Sequence, residues 1–339
     1  MEISVRVPPC RPIRELITLA RRLENAGADR VVFPDSQLLW RDVWATLSAV
    51  ALSTERINLG VMVSNPVTRH PTVTASAARS IAELAPGRFV LGVGTGDSAV
   101  TFMGAPRART GELAEYVQTV RTLVAGGEVP HDVHPWRLHD PINVPVLIAA
   151  SGPRNLALAG RVADGAVIPG LDWERDWAIV REAAAGAGRD PDSLHLTVMR
   201  PCVVTDDPER DAAVFKPMCV RMAQLGAGPL FAAAGVPIDL PEGDLGLGDL
   251  GHPEDWDQAV EASSRWVSDE AALWFGRNRA IFGTATEVAA QISEYERKGV
   301  GTLMLAHAGA FTLPTALVGA LEERGPARAA AARRDLSRW

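Results

Sequence analysis

Short apolar runs alternate along the chain with longer segments whose apolar residues recur every three or four positions. The short runs predict buried β-strands, and the longer segments predict amphipathic helices. The strands are predicted at residues 3–7, 30–33, 57–63, 89–93, 144–150, 165–168, 194–204 and 301–306. Eight strand–helix steps without a repeated nucleotide-binding half favour an α/β fold of the (β/α)8 TIM-barrel type over a doubly wound sheet.

The regular spacing breaks once, between residues 205 and 283. This stretch has helical patterns at both ends and a Gly- and Asp-rich segment, residues 235–251, between them. We therefore expect one barrel domain over residues 1–339 with a helical insertion after the seventh strand, and we interpret residues 205–283 as a substrate lid. A surface helix is expected over the Ala- and Arg-rich residues 327–339.

Composition narrows the class of ligand. The formal net charge is −7 and no dense Lys/Arg cluster interrupts the body of the chain, so a small molecule is expected rather than nucleic acid or an anionic membrane. Cys10, Cys202 and Cys219 are scattered, and no secretory segment precedes the first strand. These features indicate a reducing cytoplasm.

The loops that follow the strands carry the candidate chemistry, because TIM barrels bind their ligands at the carboxyl ends of the strands. Gly92, Gly94 and Gly96 do not have the dinucleotide-binding spacing, but they allow the backbone to approach a bound group closely. Asp97 ends this loop, and three roles are open for it: a proton donor whose pKa is raised by burial, a hydrogen-bond acceptor for a ligand, or a helix cap. Asp35 and its neighbour Ser36 present the same alternatives.

Two further loops contain polar side chains that are candidates for a site. In the loop over residues 64–71, we expect Arg69 to pair with a carboxylate and His70 to be a satisfied loop histidine. Three histidines follow on an irregular, Pro-bearing connection, namely His131, His134 and His139. Their spacing is not that of a zinc site and no cysteine accompanies them, so no metal is predicted.

Five segments together resemble the bacterial luciferase-like superfamily. They are PDSQ at residues 34–37, TERINLG at 54–60, SNPVTRHP at 64–71, GRFVLGVGTGD at 87–97 and AASGP at 149–153. More narrowly, they are similar to the branch that contains methylenetetrahydromethanopterin reductase, whose members mostly use the deazaflavin coenzyme F420. The resemblance implies a (β/α)8 barrel with an insertion after the seventh strand, a cofactor in the barrel mouth, and a homodimer.

The resemblance also implies roles for individual residues. Contacts to the cofactor's phosphate and ribityl chain are expected from Gly94, Thr95, Gly96, Asp97, Ala150, Ser151 and Gly152. Contacts to its ring and tail are expected from Asp35, Ser36, Ser64 and Asn65. A non-prolyl cis peptide near Met62, Val63 and Ser64 would back the ring. Asp97, and after it Asp35, are the expected catalytic residues.

Two departures from the family pattern shape the expected reaction. Ser36 stands where the alcohol and sugar-phosphate dehydrogenases of the family tend to carry His, and Arg6 or a neighbour stands where the reductase branch tends to carry Glu. Without the His base, hydride transfer from reduced F420 to an activated C=C or C=N bond fits better than alcohol oxidation. The alternatives are an FMN-dependent monooxygenase of the same superfamily and a barrel that binds a cofactor or ligand without turnover.

Overall fold

A computed structural model describes residues 1–170, 172–243, 245 and 249–323. Its strands are β1 (Glu2–Arg6), β2 (Arg30–Phe33), β3 (Asn58–Ser64), β4 (Phe89–Val93), β5 (Val146–Ala149), β6 (Gly165–Ile168), β7 (His195–Val204), β8 (Ile281–Gly283) and β9 (Thr302–His307). The predicted strands lie within about two residues of observed ones. The predicted surface helix at residues 327–339 lies outside the described residues.

Fourteen α-helices connect or follow these strands in the described part of the chain. They are α1 (Ile13–Asn25), α2 (Val43–Ala51), α3 (Pro71–Leu84), α4 (Ser98–Thr101), α5 (Thr110–Val124), α6 (Pro153–Val162), α7 (Trp173–Gly186), α8 (Pro208–Asp211), α9 (Lys216–Met222), α10 (Gly228–Ala233), α11 (Trp256–Ser263), α12 (Asp269–Arg279), α13 (Ala285–Arg297) and α14 (Thr315–Glu323). Local sequence explains their ends. Pro71 occupies the first turn of α3, and Thr284 and Glu287 form a reciprocal capping box at the start of α13.

The strands form a closed parallel barrel. Their order is β6-β5-β4-β3-β2-β1-β9-β7-β8, and pairing of β6 with β7 closes the ring. The predicted (β/α)8 TIM-barrel fold is therefore confirmed. The stretch predicted as an insertion, residues 205–283, ends in a short strand that its sequence pattern does not predict: β8 pairs with Cys202, Val203 and Val204 of β7.

The chain contacts separate into two compact units. The first comprises Met1–Met199 and Gly299–Met304 together with the described residues from 321 onward. Inward-facing apolar side chains of its strands form a buried cluster that includes Val32, Met62 and Val90. Such a cluster is the packed interior expected of a small barrel, which is a core and not a pore.

The second unit comprises the described residues of Arg200–Lys298 and Leu305–Ala320. Its helices enclose a separate core in which Phe215, Phe231 and Phe275 are buried and in ring contact. The predicted helical insertion therefore has a hydrophobic core of its own. The role of residues 205–283 as a substrate lid stays a prediction.

Candidate active site

The residues predicted to bind the cofactor follow four neighbouring strands of the first unit. Asp35 and Ser36 follow β2, residues 62–65 end β3, residues 94–97 follow β4, and residues 150–152 follow β5. Since β2, β3, β4 and β5 are adjacent and parallel, their carboxyl ends open on the same side of the barrel. The structure therefore brings the predicted site residues to one mouth.

Asp35 is the best-connected acid of this mouth. It is 5% exposed, and its Oδ2 accepts a hydrogen bond from Ser64 Oγ at 2.8 Å. The same carboxylate pairs with Arg69, whose Nε lies 2.8 Å from Oδ2 and whose Nη2 lies 3.3 Å from Oδ1. Both carboxylate oxygens are thus occupied. This geometry suits Asp35 to holding Ser64 and Arg69 in place, and its predicted catalytic role stays a prediction.

Arg69 connects two acids at the rim of the mouth. Its Nη2 also lies 2.8 Å from Oδ2 of Asp42, and its guanidinium stands 5.8 Å from the centre of the Trp44 ring. Burial opposes the charge of Arg69, but the hydrogen bonds to Asp35 and Asp42 raise its pKa above the ordinary value. The prediction that Arg69 pairs with a carboxylate is confirmed.

The end of β3 has the irregular backbone that the family resemblance implied. The peptide bond between Met62 and Val63 is cis, so the prediction of a non-prolyl cis bond at this point is confirmed. The register between β3 and β4 shifts between Val61 and Ser64. A Cβ on Gly92 would lie 2.5 Å from the Met62 sulfur, so only glycine lets β4 pass this close to the bulge.

The loop after β4 is partly available to a ligand. The amide of Gly94 donates to the Ser64 carbonyl at 2.9 Å, which joins the ends of β3 and β4. The amides of Thr95 and Gly96 have no hydrogen-bond partner within the described part of the chain. Gly96 has φ +93° and allows the tight turn that exposes them. Two successive free amides can form a cradle for an anion.

Asp97 is exposed, whereas its predicted role as a proton donor depends on burial. Its carboxylate is 48% exposed and forms an ion pair with Arg107. Its side chain does not cap the short helix α4 that follows, so the alternative role as a helix cap is not observed either. Burial, the condition on which proton donation was predicted, is absent here. The assignment of Asp97 as the catalytic acid stays a prediction.

The loop after β5 leads directly into α6. The amide of Ala150 donates to the Val167 carbonyl of the neighbouring strand β6 at 3.1 Å. The amides of Ser151 and Gly152 have no partner in the described residues, and Pro153 starts α6. The amino end of this ten-residue helix therefore presents free N–H groups and the positive end of its dipole.

Ser36 and Asn65 differ in how their polar atoms are satisfied. The side-chain oxygen of Asn65 accepts from the amides of Val67 and Thr68, at 3.0 and 2.9 Å, and so shapes its own loop. Ser36 is 2% exposed, and its hydroxyl has no hydrogen-bond partner among the described residues. A buried hydroxyl without a partner and free backbone amides on loops of the same mouth fit a cofactor that carries both a polar ring and an anionic chain.

His70, His134 and His139 lie in different local environments. His70 accepts from Thr72 and lies at the start of α3, as expected of a satisfied loop histidine. His134 and His139 help to line a cavity of about 450 Å³ beside Trp136. Among the described residues, no three His, Cys, Asp or Glu side chains are grouped as metal ligands. Within the same residues, no helix is both long and apolar enough to cross a bilayer.

The structure brings to the mouth two residues that the sequence did not single out, Trp40 and Arg107. Trp40, in the loop after β2, is 6% exposed, and the Arg6 guanidinium lies 5.7 Å from its ring centre. The sequence contained a signal for Arg6, namely its departure from the family pattern in the first strand. It contained none for Arg107, the partner of Asp97, because exposed loop arginines are common.

A family model described as luciferase-like monooxygenase matches residues 1–302. The chain belongs to this family. The resemblance that its motifs suggested is thereby confirmed, and the closed barrel agrees with it.

The relatives with known names include an enzyme of the branch that contains methylenetetrahydromethanopterin reductase. The chain is 34% identical to 5,10-methylenetetrahydromethanopterin reductase of Methanolobus tindarius over 212 residues, covering 58% of this chain and 63% of that enzyme. It is 35% identical to F420-dependent hydroxymycolic acid dehydrogenase of Mycobacterium tuberculosis over 215 residues, covering 57% and 59%. The matches thus span about three-fifths of the length of these curated relatives.

A solved structure agrees over nearly the whole chain. The coenzyme F420-dependent tetrahydromethanopterin reductase of Methanopyrus kandleri superposes with a TM-score of 0.72, covering 95% of this chain and 96% of that one. The two sequences are 19% identical, so this likeness concerns the fold.

Proposed function

We propose that this protein is an F420-dependent oxidoreductase that reduces an activated C=C or C=N bond of a small organic molecule. The observation that carries the proposal is the set of unpartnered polar groups at the mouth, above all the buried Ser36 hydroxyl and the free amides of the loop after β4. The names of the relatives from Methanolobus tindarius and Mycobacterium tuberculosis support a deazaflavin as the group that fills it.

The residues present fit such a cofactor. The amides of Thr95 and Gly96 and the amino end of α6 would hold its phosphate, because both offer N–H donors to an anion. The bulge at residues 62–65 would support its ring, and Ser36 would donate to a polar edge of that ring. When bound, F420 supplies a hydride at a redox potential that the protein side chains cannot reach themselves.

The protein itself would hold the side chains of the mouth in place and deliver one proton to the substrate. Asp35 fixes Ser64 through the 2.8 Å hydrogen bond, and Arg69 neutralises the buried carboxylate. Asp97 is the acid on the loop after β4, and its ion pair with Arg107 would have to open before it could donate a proton. Both acids are retained as proposed catalytic residues, with Asp35 acting by position and Asp97 as the proton donor.

A fluorescence titration of the purified protein with F420 and with FMN tests the proposal. We expect saturable binding of F420 and binding of FMN that is at least about tenfold weaker, a difference of about 1.4 kcal/mol. Tight binding of FMN without binding of F420 would contradict the proposal and favour the FMN-dependent monooxygenase. Oxygen consumption with reduced FMN would then identify that activity.

A further inference from the structure

Arg6 is a cation in the barrel interior. It is the last residue of β1, and its Cα is in register with that of Val32 on β2. Val32 belongs to the cluster that fills the barrel, and residues in register on neighbouring parallel strands face the same side of the sheet. Arg6 therefore points inward. The contact with Trp40, which lies beyond the end of β2, places the guanidinium at the carboxyl end of the barrel.

No carboxylate in the described part of the chain pairs with Arg6. Burial lowers its pKa to about 10, and no acid acts in the opposite direction. Two other arginines of this unit have acidic partners: Arg30 lies 3.1 Å from Glu2, and Arg69 bridges Asp35 and Asp42. Since an unpaired charge is costly to bury, its retention at a ligand-binding mouth indicates that a ligand supplies the anion.

We propose that Arg6 binds a carboxylate of the substrate, and that the reducible bond is a C=C conjugated with that carboxylate. The inference rests on the proposed function and names its substrate class. A guanidinium presents paired N–H donors that match the two oxygens of a carboxylate, and stacking on Trp40 leaves the edge of the group available for such a contact. The same charge repels an iminium, so Arg6 disfavours the C=N alternative.

The position of Arg6 also suits the chemistry of such a substrate. When hydride adds to the β-carbon of an unsaturated carboxylate, the C=C π bond breaks and its electron pair moves towards the carboxylate oxygens. A proton then forms the C–H bond at the α-carbon, and the product is the saturated acid. The two electrons come from the reduced deazaflavin. A cation held at the carboxylate stabilises the negative charge where it accumulates.

Titration of the full-length protein with benzoate and with its neutral analogue benzamide tests the assignment, with and without F420. Unfolding temperature and tryptophan fluorescence are the readouts. We expect wild-type protein to bind benzoate at least tenfold more tightly than benzamide. Arg6→Met should abolish this preference and Arg6→Lys should retain part of it, because a lysine keeps the charge but not the paired donors. Arg11→Met, which removes an exposed arginine of the loop that follows β1, should change nothing.

Several outcomes would overturn the assignment. They are equal binding of benzoate and benzamide by wild-type protein, unchanged benzoate binding by Arg6→Met, and a tenfold preference for inorganic phosphate over benzoate. An equal loss of F420 affinity in Arg6→Met would also overturn it, since Arg6 would then serve the cofactor. If wild-type protein binds benzoate through Arg6 but does not bind F420, the carboxylate site stands and the proposed function fails. Should Arg6→Met not fold, the benzoate and benzamide comparison on wild-type protein and Arg6→Lys still decides.

Discussion

The two ends of the barrel in the first unit differ in whether an arginine has an acidic partner. At the amino end, Arg30 pairs with Glu2 at 3.1 Å, Glu2 accepts from Thr302 at 3.1 Å, and Thr302 contacts His195 at 2.7 Å. At the carboxyl end, Arg6 has no acidic partner in the described residues.

This difference separates a stabilising polar network from a binding site. A buried charge that has its partner within the chain is expected to stabilise the fold, whereas a buried charge without one depends on a ligand for its partner. TIM barrels generally place stability at the amino end and chemistry at the carboxyl end, and the charges of this chain follow that division. Mutations at the two ends should therefore affect different properties.

The largest expected effect is on stability at the amino end. Arg30→Met removes the partner of Glu2 and should lower the free energy of unfolding by about 3 kcal/mol. Arg6→Met, the same change at the mouth, should alter it by no more than about 1 kcal/mol, because no ion pair is lost. Urea denaturation measures both values. Arg181→Met, which breaks an exposed pair with Asp192, is the control and should cost less than about 1 kcal/mol. Equal losses in the Arg30 and Arg6 variants would remove the distinction between the two ends.

A smaller effect is expected at the ion pair between Asp35 and Arg69 in the mouth. Asp35→Asn keeps the shape of the side chain but removes the charge that faces Arg69, and it should cost about 1–3 kcal/mol of unfolding free energy. It should also weaken F420 binding, because Ser64 loses its charged acceptor. Asp42→Asn removes the exposed partner of the same arginine and should change both properties less. A larger effect from Asp42 would show that the rim, and not Asp35, organises the loop.

The smallest effect is a pH dependence at the amino end. Burial, together with the nearby Arg30 charge, lowers the pKa of His195 to about 3, whereas an unfolded histidine titrates near about 6.5. Below about pH 6.5 the unfolded chain therefore binds a proton that the folded chain does not, and stability falls as the pH decreases towards 3. His195→Gln should remove about 1 kcal/mol of this loss between pH 6 and pH 5.

Urea denaturation at these two pH values measures the contribution of His195, and His134→Gln provides the matched control because His134 is exposed. The control should have the pH dependence of wild-type protein. If His195→Gln also keeps that dependence, the His195 ring is protonated or accessible to solvent in the folded state. That result would contradict its burial as a neutral ring at the amino end.

The sequence was sufficient for most of the barrel because its strands are short apolar runs bounded by turn residues. Residues 30–33, 89–93 and 165–168 were predicted with the observed bounds of β2, β4 and β6. The strand β8 was missed because its three residues lie between two helices and have no alternation of their own. The helix α4 was missed because four residues are too few for a helical period.

The candidate site was predictable only as a set of loops. The polar segments at residues 34–37, 64–71 and 94–97 could be assigned to one mouth once the barrel was recognised. Which polar groups of these loops remain available to a ligand could not be predicted, because this depends on pairs such as Asp97 with Arg107 and Asp35 with Arg69. The lack of a partner for Arg6 is likewise a property of the folded chain.

The most direct test of the mouth as the cofactor site is an F420 titration of Gly94→Val. A Cβ at Gly94 would already lie 3.2 Å from Val63, so the branched side chain extends into the space between the ends of β3 and β4. We predict at least about a hundredfold loss of F420 affinity, or about 2.7 kcal/mol. Gly111→Val, where an added Cβ meets nothing within 4 Å, should bind like wild-type protein. Wild-type affinity in a folded Gly94→Val variant would contradict the assignment of this mouth as the F420 site.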